Sequence, residues 1–249
     1  ASFHAPDPVC GAKIKQLTNQ PVIATSIYCE DPFCSSVCGR IVVLRSRFLC
    51  EGQDCEVWVV EPGTGRSILI EPHAMYAVAQ HAYMDSFFYT CKNKDKAEIK
   101  RLTVSTLQTE TVYEYKKDEP VIWGIGSASE CSRYIVNKYM DKNAGICSVI
   151  VIDLETGKRS VIAEGEDFFN PHPRFDRIKG ENVLVQWNRG QKISKQGKVI
   201  EQGPFNIALV LASRDGSSCD ELNVSRPHIP CAISGHEAWV KGKPEIVIT

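Results

Sequence analysis

A phrase of about 46 residues recurs along this chain, and it restricts the fold more than any other feature. Each copy reads as a short strand, a second strand opening on a polar residue or Gly, a third strand running into a Gly turn, and a fourth strand. The second strands align as Gly39-Arg40-Ile41-Val42-Val43, Asp85-Ser86-Phe87-Phe88-Tyr89, Ser132-Arg133-Tyr134-Ile135-Val136 and Glu181-Asn182-Val183-Leu184-Val185, stepping by 46, 47 and 49 residues. A fifth copy, Pro244-Glu245-Ile246-Val247-Ile248, follows 63 residues later, its extra length falling in a loop around Gln191 to Gly203. The third strands agree: Val57 to Val60 leads into Thr64-Gly65, Val149 to Ile152 into Thr156-Gly157, and Ala208 to Leu211 into Asp215-Gly216. Four β-branched or aromatic runs in each period of about 40–50 residues are the pattern of a propeller blade.

The expected fold class is therefore all-β, a β-propeller of about four full blades with partial blades at both ends. Full blades are expected at 19–71, 72–116, 117–164 and 165–226, and partial ones at 1–18 and 227–249. No segment keeps a 3.6-residue apolar period with caps, so helix is not expected. A propeller closes by joining its first and last blades. Either this chain closes as a small propeller, or it is a piece of a longer one of six to eight blades; the second is the expectation.

Lys and Arg number 29 against 30 Asp and Glu, a net charge of −1, so there is no electrostatic footprint for nucleic acid. The basic run Lys92 to Lys100 is broken by Asn, Asp and Glu and reads as a solvated hairpin tip. No apolar run approaches the ~20 residues of a membrane helix. Ala1-Ser2-Phe3-His4 is not a signal peptide; either there was none or it has been removed. Of 11 cysteines, Cys29, Cys34, Cys38, Cys50 and Cys55 crowd one region. That crowding suits disulfides and an extracellular or periplasmic location, whereas Cys91 and Cys147 fit buried thiols equally well. Paired zinc-knuckle spacings, a phosphate loop and a Gly-x-Ser-x-Gly elbow are all missing.

Propeller ligands bind where the innermost strands converge, which directs attention to the first strand of each blade. Those phrases carry His73, His81, His172, His228 and His236. Asn170-Pro171-His172-Pro173-Arg174-Phe175 and Ser234-Gly235-His236-Glu237-Ala238-Trp239 put a His at matching places in successive blades, where imidazole can ligate metal or move a proton. Arg174, Arg189 and Arg226 are candidates to face an anionic ligand, since guanidinium grips carboxylate with two hydrogen bonds. Each also has a plainer reading: a blade-turn His, an inter-blade ion pair, and blade-packing rings for Trp187 and Trp239.

Together, Pro171-His172-Pro173-Arg174-Phe175, the Leu209-Val210 strand ending in Asp215-Gly216-Ser217, and Gly235-His236-Glu237-Ala238-Trp239 resemble oligogalacturonate lyases, seven-bladed propellers related to the Tol-type propellers. The blade phrase resembles that superfamily over 13–249, the lyase-like part over about 165–249. The resemblance implies a channel manganese ion held by several His and a Gln, with His236 as a metal ligand. It implies metal-assisted β-elimination on uronate-containing oligosaccharides, a His removing the C5 proton and an Arg assisting. The expected partner is a uronate oligosaccharide or a protein ligand, with no nucleic acid and no membrane span, the last two on the charge and hydropathy grounds above. The chain departs from the pattern at the base: the expected His position reads Gln186-Trp187-Asn188-Arg189-Gly190, and an Asn at 188 cannot take a proton at neutral pH. No catalytic residue is assigned; Asn188 holds the base position and Arg189 is the catalytic candidate next to it. His172, Arg174 and Arg189 are expected to bind substrate. The alternatives are a non-catalytic propeller presenting a scaffold for a protein or glycan, or a peptidase propeller whose catalytic domain lies elsewhere.

Overall fold

The computed structural model describes every residue except 1, 20–22, 27–33, 47–54, 82–83, 94–95, 142, 195–197, 202–206, 223–236, 241 and 249. Among the described residues there are twenty-one strands and no α-helix. They group into two compact units, Ala1–Tyr76 with Gln80–Val112, and Ala77–Ala79 with Tyr113–Thr249.

In the first unit β1 (Ser2–Phe3) pairs with β2 (Lys15–Gln16) as a small hairpin, within the partial blade expected at 1–18. There follow β3 (Ile23–Ser26), β4 (Ile41–Ser46), β5 (Cys55–Val60), β6 (Ser67–His81), β7 (Ser86–Asn93), β8 (Lys96–Thr103) and β9 (Gln108–Glu114), joined in that order into one seven-stranded sheet that belongs to the first unit except for 77–79 of β6 and 113–114 of β9. Two blade periods are fused here. β6 runs 15 residues without a break across the expected boundary at 71 and 72, pairing with β5 on one side and β7 on the other. The Lys92 to Lys100 run lies on the β7–β8 hairpin, whose register pairs Asn93 with Lys96.

The second unit holds two separate four-stranded sheets. β10 (Trp123–Ala128), β11 (Tyr134–Asp141), β12 (Ile146–Asp153) and β13 (Arg159–Gly165) form one. In the other, β14 (Arg174–Phe175) and β15 (Asn182–Trp187) precede a small inserted hairpin, β16 (Lys192–Ile193) with β17 (Val199–Glu201). β18 (Ala208–Ser213) then pairs with β15, and β19 (Cys219–Glu221) with β18. β20 (Glu237–Trp239) and β21 (Ile246–Ile248) form a final pair, β21 being the fifth copy of the second-strand phrase.

The repeat has a backbone cause. Gly39, Asp85, Ser132 and Gly180, one in each period just before the second strand, all adopt positive φ, at 68°, 66°, 57° and 64°. Polar residues and Gly tolerate this left-handed turn best, hence the polar-or-Gly opening of the first three phrases; in the fourth the turn falls one residue earlier, at Gly180. A second turn, after the third strand, uses Gly65, Gly157 and Gly216 at 73°, 69° and 80°. One hydrogen bond recurs three times across these turns: Val104 N–H to the Asp85 carbonyl, Leu154 to Arg133, and Arg214 to Glu181.

Strands in the second unit read as nearly continuous apolar runs because both faces are covered. Val183 and Val185 join Val136, Val149, Val151, Phe168, Phe175, Val210 and Ala212 in one core. Leu184, pointing the other way, packs with Leu209 against Trp239 and Ile246. Burying each such side chain contributes about 1.5–3 kcal/mol. Trp187 and Trp239 both pack against these cores. The eight described cysteines are free thiols, Cys34, Cys38 and Cys55 among them. This corrects the disulfide expectation for those three: Cys34 bridges to Ile41 and Cys38 lies in the tight turn between, where the Cys34 thiol donates to the Ser35 carbonyl at 3.7 Å. Cys29 and Cys50 lie outside the described residues. No helix of the described chain is long and apolar enough to cross a membrane.

Candidate functional site

The site is built around the segment 167–175 of the second unit. Pro171 and Pro173 remove two N–H donors, so this stretch cannot pair as a strand until Arg174. Its carbonyls must then be satisfied from outside. The Asn188 N–H donates to the Asp167 carbonyl at 2.9 Å, the Lys138 ammonium to that of Phe169 at 2.9 Å, and the Gln186 N–H to that of Pro171 at 2.7 Å. The Asn188 side-chain amide reaches the Asn170 carbonyl at 3.5 Å. Beyond the prolines, the Phe175 N–H donates to Ser127 Oγ at 2.9 Å, and Arg174 Nη1 to the Gly126 carbonyl at 3.1 Å.

Held in the middle is His172, 6% exposed, with φ at +39°. A non-Gly residue pays for left-handed backbone, and the residue before a proline is further biased towards extended geometry. Such a conformation costs about 1–3 kcal/mol and persists only where the surroundings over-determine it. The donors from Lys138, Gln186 and Asn188 do that.

Strand alternation sets which side chains meet. In the β14–β15 register Arg174 lies opposite Leu184, and in the β15–β18 register Gln186 lies opposite Leu209. Arg174, Leu184 and Gln186 therefore share the face over which β20 and β21 pack, and the Trp239 indole N–H donates to the Arg174 carbonyl at 3.1 Å. Arg174, Gln186 and Glu237 are all nearly inaccessible, at 4%, 2% and 1%. Gln186 Nε2 donates to Asn188 Oδ1 at 3.0 Å, while Gln186 Oε1 accepts from no described residue.

Asp176 locks the turn from β14 into β15. Its Oδ1 accepts the N–H groups of Ile178, Lys179 and Gly180 at 2.8–3.1 Å, and its Oδ2 those of Glu181 and Asn182 at 2.9 and 2.8 Å. Burial pushes this carboxyl upward, but the backbone donors outweigh it and hold the group below the usual carboxylate range.

Lys138, Gln186 and Glu237 were not among the expected site residues. Lys138, opposite Trp123 in the β10–β11 register, is 8% exposed. Its ammonium lies 4.7 Å from the Trp123 ring centre and 5.0 Å from that of Phe169. Gly124, at φ +100°, leaves it room: a Cβ there would approach Lys138 Cε to 3.1 Å. The adjacent Asn137 donates to the Gly124 carbonyl at 3.1 Å and accepts the Lys138 N–H at 2.7 Å. A buried Lys inside a strand was the available signal, hidden because Asn137-Lys138 reads as an ordinary polar interruption.

Of the expected site residues, His172, Arg174 and Asn188 gather on this segment. Arg189 is engaged elsewhere, ion-paired with Glu221 and with its guanidinium 4.8 Å from the Trp187 ring centre. His73 is exposed on β6. His228, His236 and Arg226 lie outside the described residues, His236 directly before β20. Manganese favours imidazole and oxygen donors. Among the described residues no group of three or more His, Cys, Asp or Glu is placed to hold a metal, so they do not by themselves fit one.

No family model matches the chain, and no curated protein matches it. Solved structures do. An oligogalacturonate lyase in complex with manganese aligns at 16% identity with a TM-score of 0.61, covering 88% of this chain and 59% of that one. The oligogalacturonate lyase from Vibrio parahaemolyticus aligns at 11% identity with a TM-score of 0.54, covering 95% and 74%. TolB from Acinetobacter baumannii aligns at 13% identity and a TM-score of 0.36, covering 86% and 57%. The chain thus spans about 59% of the length of the manganese-bound lyase. At these identities the likeness is one of fold: an all-β propeller of the oligogalacturonate-lyase kind.

Proposed function

We propose that the chain recognises uronate-containing oligosaccharides in the manner of an oligogalacturonate lyase, with the buried His172–Arg174 segment as the held element that shapes its binding site. The observation that carries this reading is the over-determined, strained His172 beside buried Arg174 in a lyase-like propeller. Guanidinium suits the uronate carboxylate, and a buried imidazole suits hydroxyl recognition or proton movement. In this reading His236 contributes to a divalent-metal site. An extracellular or periplasmic setting, where such sugars are met, belongs to the same proposal.

A second reading, a non-catalytic glycan- or protein-binding propeller, is favoured by one observation. Asn188 is an amide committed to Gln186 and Asn170 and offers no proton acceptor. The two readings separate in one assay. The chain is incubated with oligogalacturonate and manganese while near-ultraviolet absorbance of the unsaturated uronate is followed. Rising absorbance supports elimination. A flat trace across metals and pH, with calorimetric binding of the same oligosaccharide, selects the non-catalytic binder, and absence of both rejects uronate recognition. Equal manganese content in wild type and His236→Ala removes the metal-ligand assignment.

A further inference from the structure

We propose that Lys138 is a positioning residue, acting through Phe169 to set the geometry of His172 for ligand contact. This rests on the uronate-recognition reading above. A buried ammonium is expensive unless its charge is met, and a Leu would fill the same volume at no such cost. Here three features are arranged around it: the Phe169 carbonyl at 2.9 Å, the two flanking rings of Trp123 and Phe169, and a Gly at 124 where any side chain would crowd Lys138 Cε. The carbonyl it satisfies stands three residues before His172, in the one stretch of the blade that its two prolines keep from pairing.

Arg174 and Phe175 fasten the far end of this stretch to Gly126 and Ser127 on β10, and Lys138 on β11 fastens its near end. The positive φ of His172 lies between these two anchors, both supplied by the preceding sheet. With Lys138 gone, the Phe169 carbonyl loses its donor, the hold on His172 is left to Gln186 and Asn188, and the segment shifts part of the way towards the extended geometry that Pro173 favours. The imidazole then leaves its position. Displacements of about 1 Å in such elements cost up to ~100-fold in function.

The test titrates trigalacturonate calorimetrically into the full chain. Lys138→Met keeps the apolar stem and removes the donor, and Lys138→Arg keeps a cation with N–H donors. The expected result is about tenfold or more loss of affinity in Lys138→Met and recovery of most of it in Lys138→Arg. His172 ring signals in NMR spectra should be displaced in the first variant and restored in the second, which a packing role alone does not produce. If wild type binds and Lys138→Met binds equally well with His172 signals unmoved, the inference is overturned and the uronate reading stands. If wild type does not bind, that reading falls and takes the inference with it. Should Lys138→Met fail to fold, Lys138→Gln, which removes the charge and shortens the reach to the Phe169 carbonyl, is read against the same two outcomes.

Discussion

Replacing Asp176 tests whether one carboxylate governs the turn that presents Arg174 and launches β15. Five backbone N–H groups converge on its two oxygens, but they are not worth five full hydrogen bonds. Ile178, Lys179 and Glu181 are exposed, and water takes over their amides when the carboxylate is lost. Gly180 is buried and Asn182 half-buried, so those two amides carry most of the cost. Hydrogen bonds to a charged acceptor contribute about 1.5–3 kcal/mol each, and Asp176→Ala is therefore expected to destabilise by ~3–6 kcal/mol. Asp176→Asn, which keeps the shape and half the acceptors, should lose ~1–2 kcal/mol. With a urea m-value at the upper end of about 1–3 kcal/mol/M, as suits a chain of 249 residues, the Ala variant moves the unfolding midpoint by on the order of 1–2 M. The pH dependence has a definite sign. The folded-state carboxyl lies below its ordinary value near 3.8, so its stabilisation is complete above that value and fades as pH falls through the folded one. The gap between wild type and Asp176→Asn should therefore be widest at neutral pH and narrow below pH ~4. Equal urea midpoints at pH 7, or a gap unchanged down to acid pH, would refute the reasoning.

Two glycine substitutions separate backbone strain from collision. Gly39→Ala meets nothing within 4 Å and should cost only the left-handed backbone, ~1–2 kcal/mol. Gly216→Ala adds a Cβ 2.7 Å from the Val161 carbonyl and should cost about 1–3 kcal/mol more; denaturation midpoints in the reverse order would contradict this. Burial pushes the Cys91 thiol up to about 12 and that of Cys147 up to about 11. At pH 8 a colorimetric thiol reagent should therefore label exposed Cys10, Cys38 and Cys131 promptly and reach Cys91 and Cys147 only after unfolding. Peptide mapping of the labelled protein reads the difference, and prompt native labelling of Cys147 would show that its strand opens.

Much of the fold was written locally. Strand β15 is a β-branched and apolar run between Glu181 and Asn188, and the four second-strand openings share one left-handed turn. Nearest-neighbour sterics specify such turns, so they leave a mark at fixed spacing. The fusion of two periods through β6 left no comparable mark, because continuity across residues 71 and 72 depends on which neighbours β6 pairs with on each side.

The chemistry was only partly legible. His172 and Arg174 stood out as residue types beside paired prolines, and the structure gathers them on one held segment. Arg189 looked equivalent by charge, yet Glu221 and Trp187 occupy it, partners that no spacing announces. By itself the sequence determined the blade period, the turns between its strands and the prolines that free residues 170–173 from pairing, all consequences of short-range backbone preference. Only the tertiary structure decided what holds that freed segment. Lys138 reaches Phe169 across 31 residues, Arg174 reaches Gly126 across 48 and Trp239 reaches Arg174 across 65. A buried polar group takes its role from whichever donor or acceptor packing brings within about 3 Å, and that choice is made by the whole sheet arrangement.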